Sequence, residues 1–560
     1  MGPSNECLFV GGYVFLDGGN TLTGVASWDG SSWSNVGGGV NCCAFAFATF
    51  DPDGNGPSGE SLVAAGAFHR AGGLPAGAVA AFDGQAWEPL GSGMQGNSNT
   101  VLALAAWDPD GAGPKTPWLC AGGLFSYAGG YLSPYFARWG KVSKTWASGV
   151  SGVLDNPSRW YCDEAPVIDE RIYIDNTIAG YPDSAFTITL PPGAGAVTAK
   201  AWRSRTDNVT LDLNGRSLDL TLPGSDPFGD PTLGIGELPD KPATLIIQNS
   251  QPVPAQFSAG SASIGGRATS SPLNNELRVV GPNVDLDLTQ YLVVGFEANK
   301  GIFRLESGAA AHSQYGLYIG YLTGAIGEVA ITGSGSTLFS GSSVYVGIIG
   351  AGSLTIGGPG NAAGASMETG GPLYFASAEG SIGSARIVGP GSSWVATSAH
   401  YLTVGDRGLG TLSVEDGALF DTTGNPFIAL YPSAAGSRVD IIGAGSRWIE
   451  RAGQIYIASG GAIRVGAGAA LQAPGILIDP GGTLSGEGQI TALITNRGTI
   501  KATPAPGAPS ATLVITGNYD QTNPGVGNKA GSLHLTIGGT AEAPWLVRWK
   551  SRVRRLCAAA

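Results

Sequence analysis

Charge is scarce in this chain. Only 13% of its 560 residues are Asp, Glu, Lys or Arg, and they sum to −12 at pH 7. Binding a phosphate backbone needs a basic surface, so the acid excess argues against nucleic acid as a partner. Low charge combined with 43% hydrophobic residues also argues against intrinsic disorder. Long apolar runs are missing. No stretch approaches the ~18 residues of a membrane helix. The opening residues, Met1 to Glu6, show no basic stretch followed by an apolar one, so no signal peptide is visible. Glu6 stands where myristoylation requires Ser or Thr. Cysteines number six, five of them up to Cys162 and the last at Cys557. No C-x-x-C pair exists, which removes a zinc ribbon. Cys42 or Cys43 suits either a disulfide in an oxidising compartment or a buried free thiol. The four histidines, His69, His312, His400 and His534, have no ligand-like spacing. No metal or cofactor is expected.

What the chain has in quantity is glycine, 91 residues without the strict triplet of collagen. Gly, Ser, Thr, Asn and Asp punctuate short apolar runs, the pattern of many short strands joined by tight turns. A chain of this length exceeds one ordinary domain unless it is elongated and repetitive. The expected class is all-β.

Three copies of one pattern open the chain. LFVGGYVFLDGG and VASWDGSSW run from Leu8 to Trp33, LVAAGAFHRAGG and VAAFDGQAW from Leu62 to Trp87. LCAGGLFSYAGG and FARWG follow from Leu119, with a displaced Trp146. Leu8, Leu62 and Leu119 align, and Trp28, Phe82 and Trp139 share one offset from them. A period of 54 to 57 residues with four short strands per unit is that of a propeller blade. In the second copy the strands are predicted near Ala44–Phe50, Ser61–Gly66, Val79–Phe82 and Ala86–Leu90. The tryptophans are expected to pack between blades. Fewer than three blades are present, whereas closed propellers use about four to eight. The expectation is that an N-terminal portion is missing. Asp51 to Pro57 and Asp108 to Pro114 repeat a D-P-D-G turn. Neither has the further oxygen ligands of an EF-hand loop, so a turn is favoured over a weak calcium site. These repeats resemble kelch-like repeats of bacterial surface proteins. The resemblance implies a fold and says little about function.

A second grammar starts after residue 154. From Leu292 a shorter unit recurs as LVVGFEANKGIFRLESG, LYIGYLTGAIGEVAITG, VYVGIIGAGSLTIGG and LYFASAEGSIGSARIVG, and it continues to IYIASGGAIRVGAG at Ile455. Val294, Ile319, Val346, Phe375, Val404, Ile428 and Ile457 are its anchors, 24 to 29 residues apart, one coil of a parallel β-helix. A longer period overlies it: Gly333-Ser-Gly-Ser336, Gly389-Pro-Gly-Ser392 and Gly443-Ala-Gly-Ser446, with Trp394 and Trp448 after the last two. The T-L-x-V and G-x-G-S-x-W patterns resemble the passenger β-helices of bacterial autotransporters. That resemblance implies a right-handed β-helix and export to the cell surface or beyond.

The domain reading is therefore an incomplete set of propeller-type blades over 1–153, a bridge and solenoid start over 154–204, a parallel β-helix over 205–540, and a basic, disordered tail over 541–560. The tail carries Arg548, Lys550, Arg552, Arg554 and Arg555. The two repeat series are expected to be separate domains.

Catalytic constellations are hard to find. Glycoside hydrolysis needs two carboxyls across a bond, but Glu297, Glu306, Glu328, Glu368, Glu379, Asp406, Asp421, Asp440 and Glu450 are scattered. Glu415 and Asp416 are adjacent, so on a strand they would point to opposite faces. No G-x-S-x-G elbow or P-loop ending occurs. The function expected is that of a non-enzymatic bacterial surface or secreted protein, structural or adhesive, with glycans or other envelope or matrix proteins as partners. Trp394 and Trp448 are candidate glycan platforms, and the alternative is a polysaccharide-active β-helix lyase or hydrolase.

Overall fold

In a computed structural model the chain is 58% strand and 1% helix. The structure describes residues 7–550 except positions 13, 17–20, 23, 52–59, 92, 97, 108–116, 130, 140–142, 147–149, 161–164, 167–169, 175–184, 223–230, 237–240, 267–272, 298, 359–363, 397–400, 505–509, 522–528 and 539–546. Its contacts divide it into two units. One holds Met1–Thr145 and Asn156–Ala165, the other Trp146–Asp155 and Pro166–Ala560.

Among the described residues the first unit contains six small antiparallel sheets, three of which form a series of blades. Blade one is Leu8–Gly11, Val25–Trp28 and Trp33–Asn35. Blade two has four strands, Ala44–Phe50, Ser61–Gly66, Val79–Phe82 and Trp87–Pro89. Blade three is Thr100–Trp107, Trp118–Leu124 and Phe136–Trp139. In each blade the strand after the glycine-rich hairpin starts from a left-handed residue: Gly24 (φ 63°), Ala78 (φ 64°) and Tyr135 (φ 67°). The D-G turns close by side-chain capping. Asp29 Oδ1 accepts from the amides of Ser31 and Ser32, at 2.8 Å each. Asp83 Oδ1 accepts from Gln85 and Ala86, at 2.7 Å each. Two apolar layers result. Val25, Ala64, Ala80 and Trp87 are buried between blades one and two. Phe50, Val63, Val79, Leu119 and Ala137 are buried between blades two and three.

The second unit is a parallel β-solenoid of about 11 turns, over roughly residues 171–516. Most coils have three strands, which stack into three faces; in the last coils one long strand, such as Ala470–Ile478, serves two of the faces. Face A takes the long strands, such as Lys300–Glu306, Ile326–Thr332 and Ala351–Gly357. Face B takes Ala310–Ser313 and Thr337–Ser340, and face C takes Gly316–Ile319 and Ser343–Val346. Burial alternates along the strands, as at Ile326–Thr332, so one coil has an apolar inner edge that only its neighbours can cover. The seven anchors read from spacing form one continuous row on face C: Val294, Ile319, Val346, Phe375, Val404, Ile428 and Ile457 are successive register partners.

The solenoid reaches further back than 205. Arg171–Ile174 and Ala185–Thr189, inside the stretch read as a bridge, already pair in parallel with Ala201–Ser204 and Asp207–Asp212. Trp146, read as the displaced tryptophan of the third repeat, belongs to this unit, and its backbone N–H donates to Tyr173 O at 2.9 Å. At the far end the parallel order stops. Ser510–Gln521 pairs antiparallel with Lys529–Gly538, which pairs antiparallel with Val547–Lys550. Part of the stretch read as a disordered tail is thus a strand, Val547–Lys550, paired to the strand before it. Arg552, Arg554, Arg555 and Cys557 lie outside the described residues.

Candidate functional site

The sequence placed a candidate surface at Trp394 and Trp448. The structure overturns that reading, since both rings are 0% exposed. Each follows an inward corner serine by two positions, Ser392 or Ser446, and side chains two apart on a strand share a face. Inside face B they continue an aromatic pile in which Phe420 lies 5.5 Å from Trp394 and 5.6 Å from Trp448. Each indole N–H donates 3.0 Å to a threonine hydroxyl of the preceding coil, Trp394 to Thr369 and Trp448 to Thr422. Such rings hold coils together and have no face open to a sugar.

The carboxylates of the solenoid are bound mostly to neighbouring coils. Arg278 pairs with Glu306 and Arg304 with Glu276, both at 2.7 Å, and Lys300 with Glu328 at 2.7 Å. Further along, Arg386 pairs with Glu415 and Arg451 with Asp421, both at 2.6 Å. Asp440 pairs within its own strand with Arg438, at 2.9 Å. The Arg386 guanidinium holds the Glu415 carboxyl below its usual range, and Ser413 adds a further hydrogen bond. Asp416, next to it, forms the turn with φ 54°. Glu450 is buried, and its Oε1 accepts from the amides of Gly424, Ala452 and Gly453 at 2.9, 3.0 and 3.0 Å. Its Oε2 accepts from the Thr422 hydroxyl at 2.7 Å. Asp406 is pushed up by burial, an effect that Arg407 opposes. Glu368 and Glu379 are exposed, Glu368 on face B and Glu379 in the turn between Leu373–Phe375 and Ile382–Val388.

Among the described residues no three or more His, Cys, Asp or Glu converge as a metal site would require. His69 sits in the first unit beside Asn41, and His312 on face B beside Asp285. His400 and the two D-P-D-G turns after Asp51 lie outside the described residues, as does Cys162. The sulfurs of Cys42 and Cys43 lie 3.3 Å apart and form no disulfide with each other. Cys7 and Cys120 are free.

Sequence reasoning missed an aromatic row that runs over several coils. On face C, Tyr318, Tyr345 and Tyr374 are register partners, one residue before each anchor and pointing outward. Tyr318 and Tyr345 stack at 5.2 Å and 6°, Tyr345 and Tyr374 at 4.8 Å and 13°. The next register position is Thr403, buried, and Tyr401 fills the gap from two residues earlier. Its ring lies 6.1 Å from Tyr374 and 5.5 Å from Phe427, and Phe427 stacks on Tyr456 at 4.7 Å. The available signal was the recurring L-Y-I-G, V-Y-V-G and L-Y-F-A, a tyrosine between two aliphatics. Burial and then the neighbouring tyrosines push the Tyr318 phenol up to about 12. Neutral phenols of this kind are poor bases. The stacking covers ring faces, so the row presents mainly ring edges to solvent.

A shallow groove of about 440 Å³ runs across the last coils. Ile449, Gln472, Thr491 and Thr516, one register row, line it with Arg451 and Leu493. Its carboxylate is Glu450, whose oxygens accept the bonds given above. No helix is long and apolar enough to cross a membrane among the described residues. Neither a protein family, nor a curated protein, nor a solved structure matches the chain.

Proposed function

We propose that this chain is a non-enzymatic repeat protein of the bacterial cell surface or extracellular space, structural or adhesive in role. The observation that carries the reading is where the outward groups of the solenoid point. Among the described residues five pairs of Arg or Lys with a carboxylate join adjacent coils, and the tyrosines stack on one another. Side chains so engaged serve continuity of the stack, as a rod requires. The setting rests on the likeness of the first repeats to kelch-like surface proteins and of the coils to autotransporter passengers. Partners would be other envelope or matrix proteins, or glycans engaged elsewhere than at Trp394 and Trp448. The reading is tested by incubating the purified chain with a panel of neutral and acidic polysaccharides. No product above that of heat-denatured chain is expected, and sustained release of new chain ends would favour the lyase or hydrolase alternative.

A further inference from the structure

The tyrosine row of face C contains two kinds of contact, and they differ in what the rings can do chemically. Tyr318, Tyr345 and Tyr374 are register partners. Their Cβ atoms stand one coil apart, ~4.8 Å. The rings lie flat on one another, at 6° and 13°. Tyr401 is placed differently. The register partner of Tyr374 on the next coil is Thr403, and Tyr401 precedes it by two residues. Two residues of extended chain add ~6.6 Å, at right angles to the coil spacing. The rings of Tyr374 and Tyr401 meet at a tilt of 38°, with centroids 6.1 Å apart.

Phenols couple through their edges. When two tyrosines each lose one electron and the O–H proton, the radicals join by a carbon–carbon bond between ring positions beside the oxygens. The hydrogen on each of those carbons then moves to the oxygen, which restores two phenols. The new bond lies in the plane of both rings, so it spreads the two Cβ atoms wider than one coil spacing. Register partners stacked flat cannot accept that, whereas a tilted pair offset by two residues can. Tyr291 and Tyr318 share the offset, at 5.6 Å and 56°. Tyr318, however, is also packed against Tyr321 and Tyr345, which leaves it no room to swing. Tyr401 is 37% exposed. On its other side in the row stands Phe427, 5.5 Å away, which has no hydroxyl to oxidise.

We propose that Tyr374 and Tyr401 are an oxidative cross-linking site, at which an oxidant of the peroxide class joins the two rings as dityrosine. The two electrons taken from the rings break the O–O bond of the oxidant, and the two protons pass to its oxygens or to solvent. The product ties the strand Leu373–Phe375 to the chain just before Leu402–Val404 on the next coil. One turn of the solenoid is then closed covalently, in the same direction as the ion pairs that join neighbouring coils.

The test uses the full chain at low concentration, oxidised by persulfate with a ruthenium photosensitiser under brief illumination. The intact mass should fall by two hydrogen atoms, and denaturing gels should show no dimer. Dityrosine fluorescence should appear, and mass spectrometry of proteolytic fragments should place the bond between Tyr374 and Tyr401. Tyr401→Phe keeps the ring and should lose most of that fluorescence. Tyr345→Phe alters the ring nearest to Tyr374 and should keep it. Oxidation should also raise the denaturation midpoint of the wild type and leave that of Tyr401→Phe unchanged, because the bond closes a loop in the unfolded chain. Four results would overturn the proposal: no dityrosine, a bond mapped to Tyr345 and Tyr374, cross-links only between molecules, or undiminished fluorescence in Tyr401→Phe.

Discussion

His312, on the outer side of face B, shows how single side chains tie coils together. Its Nδ1 lies 2.9 Å from Asp285 Oδ1 on the preceding coil, and the Phe339 ring of the following coil is 6.1 Å away. The hydrogen bond to Asp285 raises the imidazole pKa above 6.5, with a smaller contribution from Asp287 and with burial opposing. A raised folded-state value means that protonation stabilises the fold. The contribution is complete below 6.5 and is lost as pH rises through the raised value. Solvent reaches both partners, so the effect is modest. Denaturation midpoints of wild type and His312→Gln should therefore lie furthest apart at mildly acidic pH and draw together as the solution turns alkaline. A constant difference at every pH would show that the imidazole does not titrate against Asp285.

Turns are the elements that set the longer period of the solenoid. Gly333-Ser-Gly-Ser336 and Gly443-Ala-Gly-Ser446 alternate with a different corner, Glu306-Ser-Gly-Ala309 or Glu415-Asp-Gly-Ala418. The corner serine interlocks the two kinds. Ser336 accepts from the amide of Gly308 at 2.9 Å, and Ser446 from that of Gly417 at 3.0 Å. Each then donates to a carbonyl of its own coil at 2.6 Å, Thr332 O or Ile442 O. Ser446→Ala strands the Gly417 amide in a part-buried site, at a cost of about 1–3 kcal/mol. Equilibrium denaturation should show that loss, whereas Ser446→Thr should recover part of it. A silent Ser446→Ala would mean that the corner does not depend on this hydroxyl.

The same elements explain what could be read in advance. Ala44–Phe50, Ser61–Gly66 and Val79–Phe82 were legible from repeat alignment, and the face C anchors from their spacing. Both signals are backbone repeats, which sequence records directly. The start of the solenoid was not legible. The anchor row continues backward through Ile264, Ile235, Ser204 and Ile174. There the coils run to about 30 residues and one anchor is polar, which breaks the pattern. The direction of Trp394 and Trp448 was decided by parity with the corner serine. The tyrosine row depended on register between coils, which no single coil contains.

At the scale of the whole molecule, the two units solve one problem differently. The blades bury small sheets face against face. The solenoid buries each coil on the next and carries the same logic to its surface, where ion pairs and stacked rings join neighbours. The central claim is that this outer layer is part of the stack and is not a platform awaiting a ligand. A double-mutant cycle on Tyr345 and Tyr374, measured by chemical denaturation of the full chain, tests it most directly. Stacked at 4.8 Å, the two rings should show a coupling of about 0.5–1.5 kcal/mol beyond the sum of the single alanine substitutions. A coupling of zero, with each tyrosine replaceable at no cost, would contradict the account and leave the row free for another use.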